Sequence, residues 1–186
     1  MTEVLARLRD KVSALSAPTA FHGTTARPPF FEGWYYKWVD AQGLRPWAVI
    51  PGVCHATDPA ESHAFVQLYD GRSRRRIYAR YPLDAFHASS RRFDVRIGPN
   101  HFTADGVALS LTADGHDVEG RVRCEGLSPW PVSALYPGYM GWMALTPFIG
   151  CYHAVLSLDH GLSGSLAVDG ERVPFDGGRG YTEKDW

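Results

Sequence analysis

The 186-residue sequence has few cysteines, no excess of either charge and no long apolar run, and each absence excludes a class of protein. Its three cysteines, Cys54, Cys124 and Cys151, are odd in number and far apart. This pattern fits neither a disulfide framework nor the paired spacing of a zinc site. We therefore expect a reducing, cytoplasmic setting.

Charge of one sign is also lacking, with 19 Lys and Arg against 20 Asp and Glu. Because no global field attracts a polyanion, nucleic acid is not an expected partner. The one basic run, at positions 72–76, follows a turn signal at Asp70 and Gly71 and is interpreted as a solvated hairpin tip. The eight histidines show neither HxH nor HExxH spacing, so the sequence predicts no metal site.

The N-terminus lacks the uninterrupted apolar core of a signal peptide or a spanning helix, because Arg7, Arg9, Asp10 and Lys11 interrupt it. Apolar residues at helical spacing instead predict an amphipathic helix over 2–15. We expect this helix to pack across the end of a sheet, although its basic, apolar character also permits peripheral contact with a membrane. The expected organisation is a helix and lead-in over 1–27 and one β domain over 28–186.

Aromatic residues are abundant, at 13% of the chain, and lie in runs separated by Gly, Pro, Asn and Asp. This pattern is typical of strands and turns. Predicted strands cover residues 30–39, 47–53, 62–69, 77–81, 93–97, 101–102, 107–112, 117–124, 153–159 and 164–168. Such a succession indicates an all-β, lipocalin-like antiparallel barrel or sandwich whose interior holds one ligand. The Pro- and Gly-rich stretch 128–150 is expected to form a long loop.

The first candidate site is the aromatic run at 30–38. Strand alternation places Glu32 on one face with Trp34 and Tyr36, and Tyr35 on the other. A carboxyl desolvated among rings has a raised pKa and can donate a proton near neutrality. The alternative is a core aromatic stripe in which Glu32 reaches an arginine or a backbone amide.

The second candidate site is the end of the sequence. If these residues are extended, Tyr181, Glu183 and Asp185 share a face and bring two carboxylates and a phenol together. Repulsion between close carboxylates keeps a proton on one of them. Among the histidines, His63 and His153 belong to predicted strands or their ends and are candidates for proton transfer.

Four motifs occur in a defined order and spacing along the sequence. They are Phe-Glu-Gly-Trp-Tyr-Tyr-Lys at 31–37, Met-Gly-Trp and Cys-Tyr-His within 138–158, Leu-Ser-Gly-Ser-Leu at 162–166, and Phe-Asp-Gly-Gly-Arg-Gly-Tyr-Thr-Glu-Lys-Asp-Trp at 175–186. Together they resemble the tocopherol cyclase family from about Pro29 onward. The resemblance implies a lipocalin-related fold. It also implies cyclisation of a prenylated benzoquinol to a chromanol, a step toward vitamin E-type compounds, without a redox or metal cofactor.

In such a cyclisation an acid protonates the double bond of the prenyl tail, and the phenol oxygen attacks the resulting cation. Candidates for the acid are Glu32 and the pair Glu183 and Asp185, while His63 or His153 orients the quinol hydroxyl or accepts its proton. The candidates for lining the substrate cavity are all aromatic: Trp34, Tyr35, Tyr36, Trp142, Tyr152 and Tyr181.

Two departures from the family concern the loop and the chain end. Relatives carry Glu where this sequence has Gly150, and they continue beyond Trp186 into a second β half. We therefore expect a second-half polypeptide, or self-association, to cover exposed strand edges. The alternative function is a non-catalytic, lipocalin-like carrier of a prenylquinone or carotenoid-type lipid. Either function predicts a hydrophobic small molecule as the ligand.

Overall fold

The computed structural model describes residues 17–133, 136–146 and 149–186. The helix predicted over 2–15 lies outside the described residues. Short 3-10 helices occur at Gly23–Thr25, Pro59–Glu61, Leu83–Ala85 and Gly141–Leu145. None of the helices in these three ranges is long and apolar enough to cross a membrane.

The strands follow one another through most of the chain. In chain order they are β1 (Phe30–Val39), β2 (Pro46–His55), β3 (His63–Asp70), β4 (Arg75–Tyr81), β5 (Phe86–Ala88), β6 (Asp94–Ile97), β7 (Asn100–Thr103), β8 (Gly106–Ala113), β9 (His116–Glu125), β10 (His153–Val168), β11 (Glu171–Pro174) and β12 (Arg179–Asp185).

These strands form one antiparallel sheet in the order β4-β3-β2-β1-β12-β10-β9-β8-β7-β6-β5, with β11 paired to β10. Strands that follow each other in the chain are neighbours in the sheet, with two exceptions. β4 and β5 form its opposite edges, and β12 follows β11 but lies between β1 and β10, where it joins two meanders. The sheet does not close, but it curls until its β4 edge meets the β8–β9 hairpin, where the Tyr78 amide donates to the Asp114 carboxylate at 2.8 Å. The predicted all-β, lipocalin-like architecture is confirmed.

Glycine and aspartate positions explain where the chain turns and where a strand continues. Asp114 and Asp169 have positive φ and are each followed by a glycine with positive φ, as expected for two-residue hairpin turns formed by Asp-Gly. The prediction of separate strands at 153–159 and 164–168 is wrong, because β10 runs through both. Gly164 marks a close approach of strands and not a turn, since a Cβ there would lie 2.3 Å from the Arg121 carbonyl oxygen.

The interior of the curled sheet is packed. Alternation along β1 puts Trp34, Tyr36 and Trp38 inside with no exposed surface. The Trp34 ring stacks on Phe93 with 5.5 Å between ring centroids, and Trp38 meets Phe175 edge-on at 5.4 Å. We expected this interior to hold a ligand, but aromatic side chains occupy the space. The spaces open to a ligand therefore lie on the outer face and at the ends of the sheet.

Candidate acid–base site

The end of the chain is extended, as the second candidate site required, and it lies in the middle of the sheet. Across β1, β12 and β10, the register places Gly33, Asp185 and His153 in one row. Two residues further along β1, Tyr35 is paired with Glu183. Residues two apart on a strand share a face. Both β12 carboxylates therefore project from the outer face beside His153.

Four side chains on this face form a connected set that we call the acid–base cluster: Tyr181, Glu183, His153 and Asp185. The Nδ1 of His153 donates to Oδ1 of Asp185 at 2.7 Å, and its Nε2 lies 3.5 Å from Oε2 of Glu183. The Tyr181 hydroxyl donates a short hydrogen bond to the same Glu183 oxygen. A phenol, two carboxylates and an imidazole are thus linked in a continuous path for protons.

The phenols of the site are held in their protonated form. Burial raises the pKa of Tyr181, and its hydrogen bond to Glu183 and the charge of Glu183 raise it further. Burial and the charge of Glu183 likewise raise the pKa of Tyr35. Both hydroxyls therefore keep their protons at neutral pH.

The same cluster offers metal ligands. One ligand atom each from His153, Glu183 and Asp185 lie within 4.8 Å of one another, and within 17–133, 136–146 and 149–186 this is the one group of three such residues found. The absence of HxH and HExxH spacing led to the prediction of no metal site, and that spacing could not reveal this group, because His153 is far from the β12 carboxylates in sequence. An imidazole and two carboxylates also suit proton transfer.

A groove of about 310 Å³ opens beside the cluster on the outer face of β1, β2, β3 and β12. Its accessible lining comes from Phe31, Gly33, Tyr35, Ile50, Phe65, Gln67, Tyr69, Glu183 and Asp185. Its size is near the lower end of the range for small-molecule sites. The Glu183 carboxylate thus faces a space with aromatic walls.

Paired glycines shape the aromatic wall of this groove. Gly33 and Gly52 are opposite each other on β1 and β2. A Cβ on Gly52 would lie 2.5 Å from Cζ of Phe65, and one on Gly33 would lie 2.9 Å from Cζ of Phe31. Because both side chains are absent, the two phenyl rings lie over the strands, nearly parallel and 6.1 Å apart. Such ring faces can stabilise a cation.

A second, smaller cavity of about 140 Å³ lies on the other side of His153, beneath the loop that joins β9 to β10. The Tyr139 ring contacts His153 edge-on at 5.0 Å and is itself 5.1 Å from Trp130. The lining is mostly apolar and includes Val155 and Trp186. His153 therefore separates an aromatic groove from an apolar cavity.

Glu32 lies on the inner face in a different environment. Its Oε1 is 2.7 Å from Nζ of Lys184, and neither side chain has exposed surface. The His22 amide donates to its Oε2 at 2.9 Å, and Lys184 also donates to the Ala20 carbonyl oxygen. Burial raises the pKa of Glu32, opposed by the charge of Lys184, and lowers the pKa of Lys184 to about 8. The geometry is that of a buried ion pair that anchors the lead-in to β12.

The other predicted site residues are spread over the molecule. Trp34 and Tyr36 belong to the packed interior, where the Tyr36 hydroxyl donates to the Thr103 carbonyl oxygen at 2.7 Å. His63 lies beyond the aromatic wall and forms a 2.7 Å hydrogen bond with the Tyr78 hydroxyl. The structure therefore brings none of these three into contact with the acid–base cluster.

Two predicted aromatic residues belong to the region of the β9–β10 loop. Tyr152 stacks on Trp186, with 5.6 Å between ring centroids and 17° between planes. Trp142 lies in the 3-10 helix at Gly141–Leu145 and is 59% exposed. Neither lines the groove of the acid–base cluster.

Sequence reasoning missed three residues of these sites. Lys184 could have been predicted as the partner of Glu32. Strand alternation places Lys184 on the inner face, opposite to Glu183, and Glu32 lies on the same inner face. Phe65 could also have been found, since it is paired with Gly52 across two predicted strands. Tyr139 had no signal, because only the path of a long loop brings it to His153.

This fold and site define an all-β, lipocalin-like protein with an acid–base cluster on the outer face of its sheet. No family model and no curated protein sequence matches the chain. Solved structures with partial similarity include a Nitrosomonas europaea protein provisionally assigned as AttH, at 16% identity and a TM-score of 0.48, covering 86% of this chain and 52% of that one.

CghA is also similar, at 14% identity and a TM-score of 0.49 with Sch210972 bound, and at 13% identity and 0.49 without it. Each alignment covers 91% of this chain and 46% of CghA. The chain thus spans about half the length of the solved structures that it matches. All identities are below 25% and all TM-scores below 0.5, so no residue role or activity is transferred from these proteins.

Proposed function

We propose that this protein catalyses an acid-initiated, intramolecular ring closure of a prenylated benzoquinol to a chromanol, with the reacting part of the substrate in the outer groove. One observation carries the proposal. The carboxylate of Glu183 faces an aromatic groove while contacting both a phenol and an imidazole. The resemblance of segments 31–37 and 175–186 to tocopherol cyclases agrees with it.

Each group has a defined chemical task. Glu183 gives a proton to the less substituted carbon of the prenyl double bond, which leaves a tertiary cation. The faces of Phe31 and Phe65 stabilise that cation. The quinol oxygen attacks it, a C–O bond forms, and the oxygen loses its proton to Nε2 of His153.

The cycle closes within the cluster. His153 passes the proton to Glu183 across their 3.5 Å contact, and the enzyme returns to its starting state. Asp185 accepts the hydrogen bond from Nδ1 and so holds the imidazole with Nε2 toward Glu183. One O–H bond is lost and one C–H bond is gained. The reaction is therefore an isomerisation that consumes no co-reactant.

The test is an anaerobic incubation of the full chain with a phytyl-type benzoquinol, followed by chromatography for the isomeric chromanol. The Glu183→Gln variant keeps the size of the side chain but carries no acid, and it should lose about 100-fold or more of the rate. The matched control is Glu125→Gln on β9, where the carboxylate accepts a hydrogen bond from Ser163 outside the groove. This variant should keep the wild-type rate.

The outcomes separate an enzyme from a carrier. If wild-type protein yields no chromanol but the quinol quenches tryptophan fluorescence saturably, the ring-closure proposal is wrong and the carrier function is favoured. Equal rates for Glu183→Gln and Glu125→Gln would exclude Glu183 as the proton donor.

A further inference from the structure

The segment between β9 and β10 contains no charged residue. From position 126 to position 158 there is no Asp, Glu, Lys or Arg, whereas 21% of the whole chain is charged. A stretch of this length with ordinary composition would contain about seven. Its large residues are instead aromatic or apolar, and they include Trp130, Tyr136, Tyr139, Trp142 and Met143. We call residues 126–152 the apolar loop.

The apolar loop holds more exposed large apolar side chains than any other segment of the described chain. Five large apolar residues within it are at least half exposed: Val132 at 57%, Tyr136 at 60%, Tyr139 at 50%, Trp142 at 59% and Met143 at 64%. Elsewhere in the described ranges, exposed large apolar residues are scattered over β1, β3, β10 and a turn. A concentration of exposed apolar side chains of this kind marks an interaction site.

The underside of the apolar loop faces the end of the sheet that carries the acid–base cluster. Pro129, Trp130 and Met140 line the 140 Å³ cavity that His153 also lines. Exposed apolar surface, apolar cavity and acid–base cluster are therefore adjacent.

We propose that the apolar loop docks on the surface of a lipid bilayer, with its Trp and Tyr rings at the headgroup level and its Val and Met side chains below them. Trp and Tyr favour this level because their rings are amphipathic. A charged residue would be costly there, and the loop has none. A protein partner is less suitable, because protein interfaces have a polar rim and are enriched in Arg.

The docking is apolar in origin and does not depend on anionic lipid. The chain has a formal net charge of −1, so no overall positive field draws it to a negative surface. We therefore expect binding to zwitterionic vesicles that persists as salt is raised. This inference does not rest on the proposed ring closure, because the loop would dock whatever reaction takes place beside it.

The test is flotation of the full chain with phosphatidylcholine vesicles. A Trp142→Glu, Met143→Glu double variant should partition roughly tenfold less, or weaker still, because charges replace two apolar side chains that would enter the bilayer. The matched control is Leu44→Glu, which changes a 69% exposed residue in the β1–β2 turn at the opposite end of the sheet. It should partition like the wild-type protein, and raising the salt from about 0.1 M to about 0.5 M should not release either.

A second readout needs no variant. Lipids brominated on the acyl chains should quench wild-type tryptophan fluorescence, because Trp130 and Trp142 lie in the loop. Wild-type protein that stays with the aqueous fraction and is not quenched would overturn the inference, as would an equal loss of binding in Leu44→Glu. A dimer that dissociates in the double variant without any vesicle binding would show instead that the loop joins two copies of the chain. Ring closure measured in detergent remains a separate result in every case.

Discussion

Replacing Lys184 with methionine should strongly destabilise the fold. Its ammonium lies 2.7 Å from the Glu32 carboxylate, and both side chains are fully buried. Methionine fills a similar volume but leaves the carboxylate without its partner. Removing one member of a buried pair costs about 3–5 kcal/mol. For a domain of this size that corresponds to a fall in Tm of about 6–20 °C.

The matched control is an exposed ion pair between β4 and the 3-10 helix at Pro59–Glu61. Arg80 and Glu61 are 3.8 Å apart with side chains 49% and 70% exposed. Solvent screens such a pair, so Glu61→Gln should change the free energy of unfolding by less than about 1 kcal/mol. The double variant Glu32→Gln, Lys184→Met removes both buried charges and should recover much of the loss seen in Lys184→Met.

The assay is urea unfolding at pH 7, followed by tryptophan fluorescence and circular dichroism, for the wild-type protein and each variant. The two probes should give one transition for each protein. A cost below about 1 kcal/mol for Lys184→Met, or strictly additive single and double variants, would refute the buried-pair assignment. Glu32 would then return as a candidate proton donor.

Three further outcomes are expected. Gly52→Ala should lower the free energy of unfolding by about 1–3 kcal/mol, measured in urea, because its Cβ would lie 2.5 Å from the Phe65 ring. Burial lowers the pKa of Lys184 from 10.5 to about 8, so the unfolded chain binds more protons in that window. The stability of the wild-type protein should therefore rise from pH 8 to pH 10 relative to the Glu32→Gln, Lys184→Met double variant. Asp185→Asn should lower kcat roughly 100-fold with little change in KM, because His153 loses the acceptor that orients it.

Each of these predictions has an outcome that contradicts it. Gly150→Ala is the control for the glycine change, since a Cβ there meets nothing within 4 Å, and equal effects at both glycines would argue against the ring contact. A stability difference that is flat between pH 8 and pH 10 would contradict the lowered pKa of Lys184. An Asp185→Asn variant with normal kcat would show that Asp185 is not needed to orient His153 for the reaction.

Strand alternation and turn chemistry were sufficient to predict much of the local structure. They separated Glu32 from Tyr35 correctly and placed Tyr181, Glu183 and Asp185 on one face. They could not show that β12 lies between β1 and β10, because that pairing joins residues from both ends of the described chain. His153 therefore could not be assigned to the β12 carboxylates from sequence.

Packing was the other limit on prediction. The aromatic row along β1 is compatible with either a ligand cavity or a filled core, since both require apolar side chains facing inward. Only the curl of the sheet, which brings Phe93 and Phe175 onto Trp34 and Trp38, shows that the interior is filled. The aromatic row also gave no sign of the partner of Glu32, because that partner, Lys184, comes from the last strand.

The most direct test of the central claim is the anaerobic reaction carried out in D₂O with deuterium-exchanged protein. Protonation of the alkene by an exchangeable acid places one deuterium at a carbon that does not exchange afterwards. We predict chromanol one mass unit heavier than that formed in H₂O, with its formation abolished in Glu183→Gln. Unlabelled chromanol, or labelled chromanol formed equally fast by Glu183→Gln, would contradict acid initiation by this cluster.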